Sequence, residues 1–265
     1  MYTETAWKER MTDNLSRFKS KTTKRTIAYQ KTENVESDVT VVFCGGFKSD
    51  MQGTKASFLE AVCQEIGINY IRFDYSGHGE SEGKFINGTI GDWYRDALSV
   101  LDEIVTTKKV ILIGSSMGGW ISLLAAKEKH DLIKSLILLA PAPDFTREVY
   151  DSFSEEQKNE LLIDDMVKIP NDYSDEPYIF TRRLIDEGEG NCLLDKTIPI
   201  KIPVSIIQGM KDNDVPWEKA LKISDRVESE DVIVHLLKHA GHSLSGVNEL
   251  ELLRSELKKM TAKLS

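Results

Sequence analysis

The chain has 265 residues, 40% of them hydrophobic and 29% charged. That length buries a core without disulfide or metal staples, and the composition excludes a disordered or fibrous chain. Lys+Arg 34 against Asp+Glu 43 gives a net charge of −9, which argues against a dedicated nucleic-acid binder, since such proteins need a basic face. Residues 1–25 carry seven basic side chains (Lys8, Arg10, Arg17, Lys19, Lys21, Lys24 and Arg25) against Glu4, Glu9 and Asp13. They lack the apolar core of a secretory signal and are predicted to form a polar leading segment.

Short apolar runs follow at 39–44, 68–73, 110–113, 136–139, 204–208 and 232–237. Most are rich in Val and Ile and lack polar alternation, as strands buried on both faces do. Residues 26–31 add a candidate antiparallel edge strand. Helical patterns occupy 54–66, 90–105, 117–129, 215–227 and 247–264. Strand–helix alternation predicts an α/β fold, a mostly parallel sheet flanked by helices. Residues 143–196 break the rhythm. About fifty residues between two strands far exceed an ordinary αβ loop. They contain helical patterns at 154–168 and 179–187 around a Pro/Asp/Tyr-rich stretch at 170–177, and no convincing strand. We expect a helical cap inserted into a single domain spanning 1–265.

The three cysteines, Cys44, Cys63 and Cys192, form no C-x-x-C pair and read as reduced thiols. No run approaches the ~18 apolar residues of a membrane-spanning helix. A cytoplasmic protein without integral membrane association is expected, with mitochondrial import as the lesser alternative.

Gly114-Ser115-Ser116-Met117-Gly118-Gly119 lies between the strand at 110–113 and the helix from Met117. This is G-x-S-x-G in the strand–turn–helix setting that a nucleophile elbow requires. Small residues two positions either side permit the sharp turn that lifts a serine hydroxyl above the sheet. The bland alternative is a glycine-rich turn in which Ser116 caps the helix. A serine nucleophile needs a base, and the base an orienting acid. Asp212 and Asp214 follow the strand at 204–208, and His242 follows the strand at 232–237. These loops leave the same sheet edge as Ser116, where open α/β sheets place their sites. Spacing does not choose between the two aspartates. His235 and His239 lie on the strand and its exit, so the H-x3-H-x2-H pattern with His242 reads poorly as a metal site. His78 precedes the serine and is a weaker base candidate.

Cys44-Gly45-Gly46-Phe47 follows the first long strand. A loop there can present the Phe47 N–H to an oxyanion, with Met117 N–H as the second donor. Gly77, Gly79 and Gly83 are misspaced for a dinucleotide fingerprint and read as a bent loop. No cofactor is expected, and the expected partner is a small or acylated substrate.

With these motifs the chain resembles the α/β-hydrolase superfamily, through Asp74-Tyr75-Ser76-Gly77-His78-Gly79-Glu80-Ser81, Gly114 to Trp120, and Gly209-Met210-Lys211-Asp212 with Val215-Pro216. A narrower likeness, carried by Met51-Gln52-Gly53-Thr54-Lys55-Ala56, Ile71 to Gly77 and Cys192-Leu193-Leu194, is to the mitochondrial acyl-glucuronide-esterase and palmitoyl-protein-thioesterase type of α/β-hydrolase and its bacterial relatives. The resemblance implies Ser116 as nucleophile, Asp212 rather than Asp214 as acid, and His242 as base. It implies hydrolysis of esters or thioesters through an acyl-enzyme. The chain departs from the superfamily in having Gly45-Gly46 where many members have His-Gly before the first oxyanion donor. The same triad also serves C–C bond hydrolysis and peptidases, and a binding protein with little turnover is the alternative from another class.

Overall fold

The structure, a computed structural model, describes residues 15–170 and 176–264. Its sheet has eight strands, here numbered in chain order. They are β1 (Ser16–Lys19), β2 (Thr26–Thr32), β3 (Val39–Cys44), β4 (Asn69–Phe73), β5 (Lys109–Ser115), β6 (Ile133–Leu139), β9 (Val204–Gly209) and β10 (Val232–Leu237). Their spatial order is β1-β2-β4-β3-β5-β6-β9-β10. The two pairings that involve β2 are antiparallel, and all the others are parallel.

Alternation along the strands explains the two cores. Val42, Leu112, Leu136 and Ile206 face one side, with Trp93 of α2 (Ile90–Glu103), Trp120 of α3 (Met117–Glu128) and Ile223 of α7 (Glu218–Arg226). Val41, Ile111, Ile137 and Ile207 face the other, with Leu59 of α1 (Thr54–Ile66) and Leu257 of α8 (Val247–Ala262). Every residue of β3, β4 and β9 is buried because both faces are covered.

Three short strands differ from expectation. Within the polar leading segment, Ser16–Lys19 forms β1 against β2, while residues 1–14 lie outside the described part. The insertion after β6 carries α4 (Phe145–Ser152), α5 (Glu155–Asp164), α6 (Arg182–Glu189) and a hairpin of β7 (Met166–Ile169) with β8 (Tyr178–Thr181). The helix expected at 154–168 starts on a Ser154–Gln157 capping box and stops at Asp165, whose φ of 57° turns the chain out of the helix. Met-Val-Lys-Ile then extends as β7. The helix expected at 179–187 begins only at Arg182, because Thr181 caps it by accepting the Leu184 N–H. Most of the Pro/Asp/Tyr-rich stretch, residues 171–175, lies outside the described part.

The two ends of the insertion are tied together at its base. Asp144 accepts the N–H groups of Leu193 (2.8 Å) and Leu194 (2.9 Å). Arg147 bridges Glu189 and Asp195 beside it.

Candidate active site

Ser116 stands between β5 and α3 with φ 55° and ψ −119°, a conformation that L residues rarely adopt. Packing imposes it. A Cβ on Gly114 would lie 2.3 Å from the Gly118 carbonyl oxygen, and one on Gly118 would lie 2.1 Å from that of Cys44. Glycine at both positions lets α3 pack against the ends of β3 and β5. The Ser116 N–H donates to Leu139 O (2.9 Å), and Ser116 O accepts from Ala142 N (3.1 Å). Strain in the elbow is thus held by hydrogen bonds to β6 and its exit.

His242 Nε2 lies 3.1 Å from Ser116 Oγ, and His242 Nδ1 lies 2.8 Å from Asp212 Oδ2. The three residues come from loops after β5, β9 and β10, as their order in the chain predicts. Asp212, not Asp214, meets the imidazole. Its side chain is fully buried. Burial pushes the Asp212 carboxyl up, but the His242 contact and the Val215 and Asp214 N–H donors outweigh burial and hold it below its ordinary value. The Asp214 and Val215 N–H groups both donate to Asp212 Oδ1 at 2.9 Å. Gln208 Nε2 adds a bond to Oδ2 (2.9 Å) and a second to Val215 O (3.1 Å). Sequence reasoning missed Gln208. Its signal was a polar residue, fully buried, at the end of an apolar strand.

The other histidines do not join the site. His235 lies 3.4 Å from the buried Glu256 carboxylate, and His239 is exposed. His78 is buried against Tyr75, Phe85 and Trp93, and burial lowers its pKa to about 4. Asp212, Asp214 and His242 bring ligand atoms within 4.8 Å of one another, but His242 Nδ1 and Asp212 already satisfy each other.

Met117 is the first residue of α3, where an N–H has no intrahelical acceptor. Gly46 comes close to Ser116: a Cβ built on it would lie 3.5 Å from the Ser116 Cβ. This brings the loop that carries Phe47 to the elbow. The Phe47 ring is the hub of a cluster that sequence reasoning did not foresee. It stacks on Phe180 (5.6 Å, 7°) and meets Phe85 (4.8 Å), Trp93 (5.9 Å), Phe145 (5.5 Å) and Tyr178 (5.7 Å) edge-on. Phe85 and Trp93 belong to the sheet-and-helix body, and the other three belong to the insertion.

Comparison with known proteins follows the same lines. A family model described as serine aminopeptidase, S33 (Hydrolase_4) matches residues 35–163. The chain is 36% identical over 240 residues to the mitochondrial palmitoyl-protein thioesterase ABHD10 of Homo sapiens, covering 90% of this chain and 78% of that protein. Among solved structures it matches mouse α/β-hydrolase domain-containing protein 10 at TM-score 0.87 and 34% identity, over 95% of this chain and 99% of that one. It also matches a hydrolase from Agrobacterium vitis S4 at TM-score 0.87 and 36% identity, over 93% and 98%. The human relative is mitochondrial by name, whereas the sequence alone suggested the cytoplasm. Among the described residues, no helix is long and apolar enough to cross a membrane. On its eight-stranded sheet, its elbow and its identity to these relatives over most of their length, the chain belongs to the α/β-hydrolase family and is an enzyme of the hydrolase class.

Proposed function

We propose that this protein hydrolyses carboxylic ester or thioester bonds of small or acylated substrates through an acyl-enzyme on Ser116. The supporting observation is the continuous contact from Ser116 Oγ through His242 to Asp212, at 3.1 and 2.8 Å. Ser116 Oγ attacks the acyl carbon while His242 Nε2 takes its proton. Asp212 keeps the imidazole in the tautomer with Nε2 free and stabilises the imidazolium. The Phe47 and Met117 N–H groups receive the negative charge that develops on the carbonyl oxygen. As the C–O or C–S bond breaks, His242 returns the proton to the leaving alcohol or thiol. Water then attacks the acyl-enzyme, His242 takes its proton, and Ser116 leaves with that proton. Every proton is accounted for by the triad and water, so the scheme needs no cofactor.

The inclusion of thioesters among the substrates draws on the relatives named palmitoyl-protein thioesterase. A second reading, peptide hydrolysis by the same triad, is favoured by the family model named for serine aminopeptidases. The two separate on one panel: a p-nitrophenyl ester, an acyl-thioester of a small thiol and an aminoacyl p-nitroanilide. Our reading requires kcat/KM for the first two to exceed that for the anilide by at least about 100-fold, a gap of ~2.7 kcal/mol in transition-state binding. A faster anilide overturns it. Tight binding without turnover of any of the three would leave a ligand-binding protein instead. Three free cysteines fit a reducing compartment, which both the cytoplasm and the mitochondrial matrix provide.

A further inference from the structure

The segment Met51-Gln52-Gly53-Thr54-Lys55-Ala56 takes no part in the proposed chemistry, yet it is tightly fixed. The Met51 N–H donates to Asp74 Oδ1 (2.7 Å), Met51 O accepts from Arg72 Nη1 (3.0 Å), and Gln52 N–H donates to Asp50 Oδ1 (2.8 Å). Lys55 extends from this rigid base in the first turn of α1. A cation there opposes the helix dipole, and the first turn holds no acidic residue to offset it. Its ammonium forms no ion pair among the described residues. It donates instead to the carbonyl of Ser243, the residue after His242.

We propose that Lys55 is a positioning residue for His242, its ammonium tying the loop after β10 to the start of α1 through the Ser243 carbonyl. This rests on the triad reading above. The loop needs such a tie. It is a chain of turns with Leu244 at φ 46°, and His242 must meet two partners at once. A hydrogen bond from a charged donor is about twice as strong as a neutral one. Misplacing a catalytic group by about 1 Å can cost on the order of 10²-fold in rate.

The tie also titrates. Burial alone lowers the Lys55 ammonium to about 8. Charged groups on the surrounding elements are engaged elsewhere. Asp50 and Asp74 hold the turn before α1, Arg72 of β4 pairs with Glu60, and His242 pairs with Asp212. On α8, Arg254 and Lys258 pair with Glu65, and the Glu249 carboxylate lies over Gly246. As pH rises through about 8, Lys55 loses its charge and the tie weakens.

The test compares wild type, Lys55→Met and Lys55→Arg on a p-nitrophenyl ester from pH 6 to 9.5, with melting curves to establish folding. We expect Lys55→Met to lose about 10-fold in kcat with KM within about twofold. Lys55→Arg, charged throughout this range, should recover most of kcat. Wild-type kcat should fall through about pH 8 toward the Lys55→Met level, and Lys55→Arg should show no such fall. Wild-type kcat in folded Lys55→Met overturns the proposal, as does the same alkaline fall in Lys55→Arg. If Lys55→Met does not fold, the Lys55→Arg profile decides alone. Ser116→Ala separates the two layers. An active Ser116→Ala refutes the triad itself, whereas an inactive one beside a fully active Lys55→Met refutes only the role of Lys55.

Discussion

The two halves of the proposed site, one for proton transfer and one for the oxyanion, are held by different forces. Asp212 and His242 sit on loops at the ends of β9 and β10, and directional bonds place them: 2.8 Å between them, with Gln208, Asp214 and Val215 completing the shell of the carboxylate. In the Phe47 loop Ser49 Oγ donates to the Gly46 carbonyl (2.9 Å), and the Phe47 ring itself has no polar atom to tie. That ring packs among five aromatic neighbours, three of them supplied by the insertion. Hydrogen bonds fix a group to tenths of an ångström and fail abruptly when a partner is lost. Ring packing is less directional and degrades gradually. The first half should therefore break in large steps and the second in small ones. The insertion supplies three of the rings around the second half.

Three substitutions and one pH dependence would break or sharpen that contrast. The largest effect is expected for Ser116→Ala, which should lose on the order of 10³-fold or more in kcat with melting unchanged. Asp212→Asn comes next. The amide can no longer accept from His242 Nδ1 as a carboxylate does, and the wrong tautomer is favoured, so kcat should drop by about 10²-fold or more. Steady-state rates at saturating substrate check both. Phe180→Leu removes the ring stacked on Phe47. It should cost only about 3- to 10-fold in kcat, with a loss of ~1–2 kcal/mol in denaturant stability. A loss from Phe180→Leu as large as that from Asp212→Asn would erase the distinction between the two halves.

The smallest effect is on acid stability. Asp212 is held below its ordinary value in the folded protein. Its contribution is therefore present above the unfolded value near ~4 and is lost as pH falls through the folded value. Asp212→Asn cannot titrate, so its stability should decline less steeply over that interval. Urea unfolding at a series of acidic pH values measures the slope, and equal slopes would remove Asp212 from the acid transition.

What was legible in the sequence follows the same division. Runs such as 39–44 and 204–208 announce strands buried on both faces, because their few polar residues, Thr40, Ser205 and Gln208, do not alternate with the apolar ones. The proposed triad was readable as order along the chain, Ser116 then Asp212 then His242, each just past such a run. Gly209-Met210-Lys211-Asp212 did not by itself exclude Asp214. The geometry brings Asp212 to the imidazole, and Asp214 contributes its backbone N–H. The four-residue strands β1, β7 and β8 escaped, because Ser-Arg-Phe-Lys, Met-Val-Lys-Ile and Tyr-Ile-Phe-Thr are too short for a period to declare itself. The ring cluster escaped for a different reason. Phe85, Trp93, Phe145, Tyr178 and Phe180 converge on Phe47 only through tertiary packing, and no local pattern marks them. Likewise nothing near His242 in the chain points to Lys55, which reaches Ser243 from another element.

The central claim is that Ser116 is an activated nucleophile, and covalent labelling tests it most directly. The protein is treated with a fluorophosphonate probe, digested and mapped by mass spectrometry. A single adduct is expected on the peptide carrying Ser116, abolished in Ser116→Ala and slowed in Asp212→Asn. No adduct on folded protein, or an adduct on another serine, would contradict it.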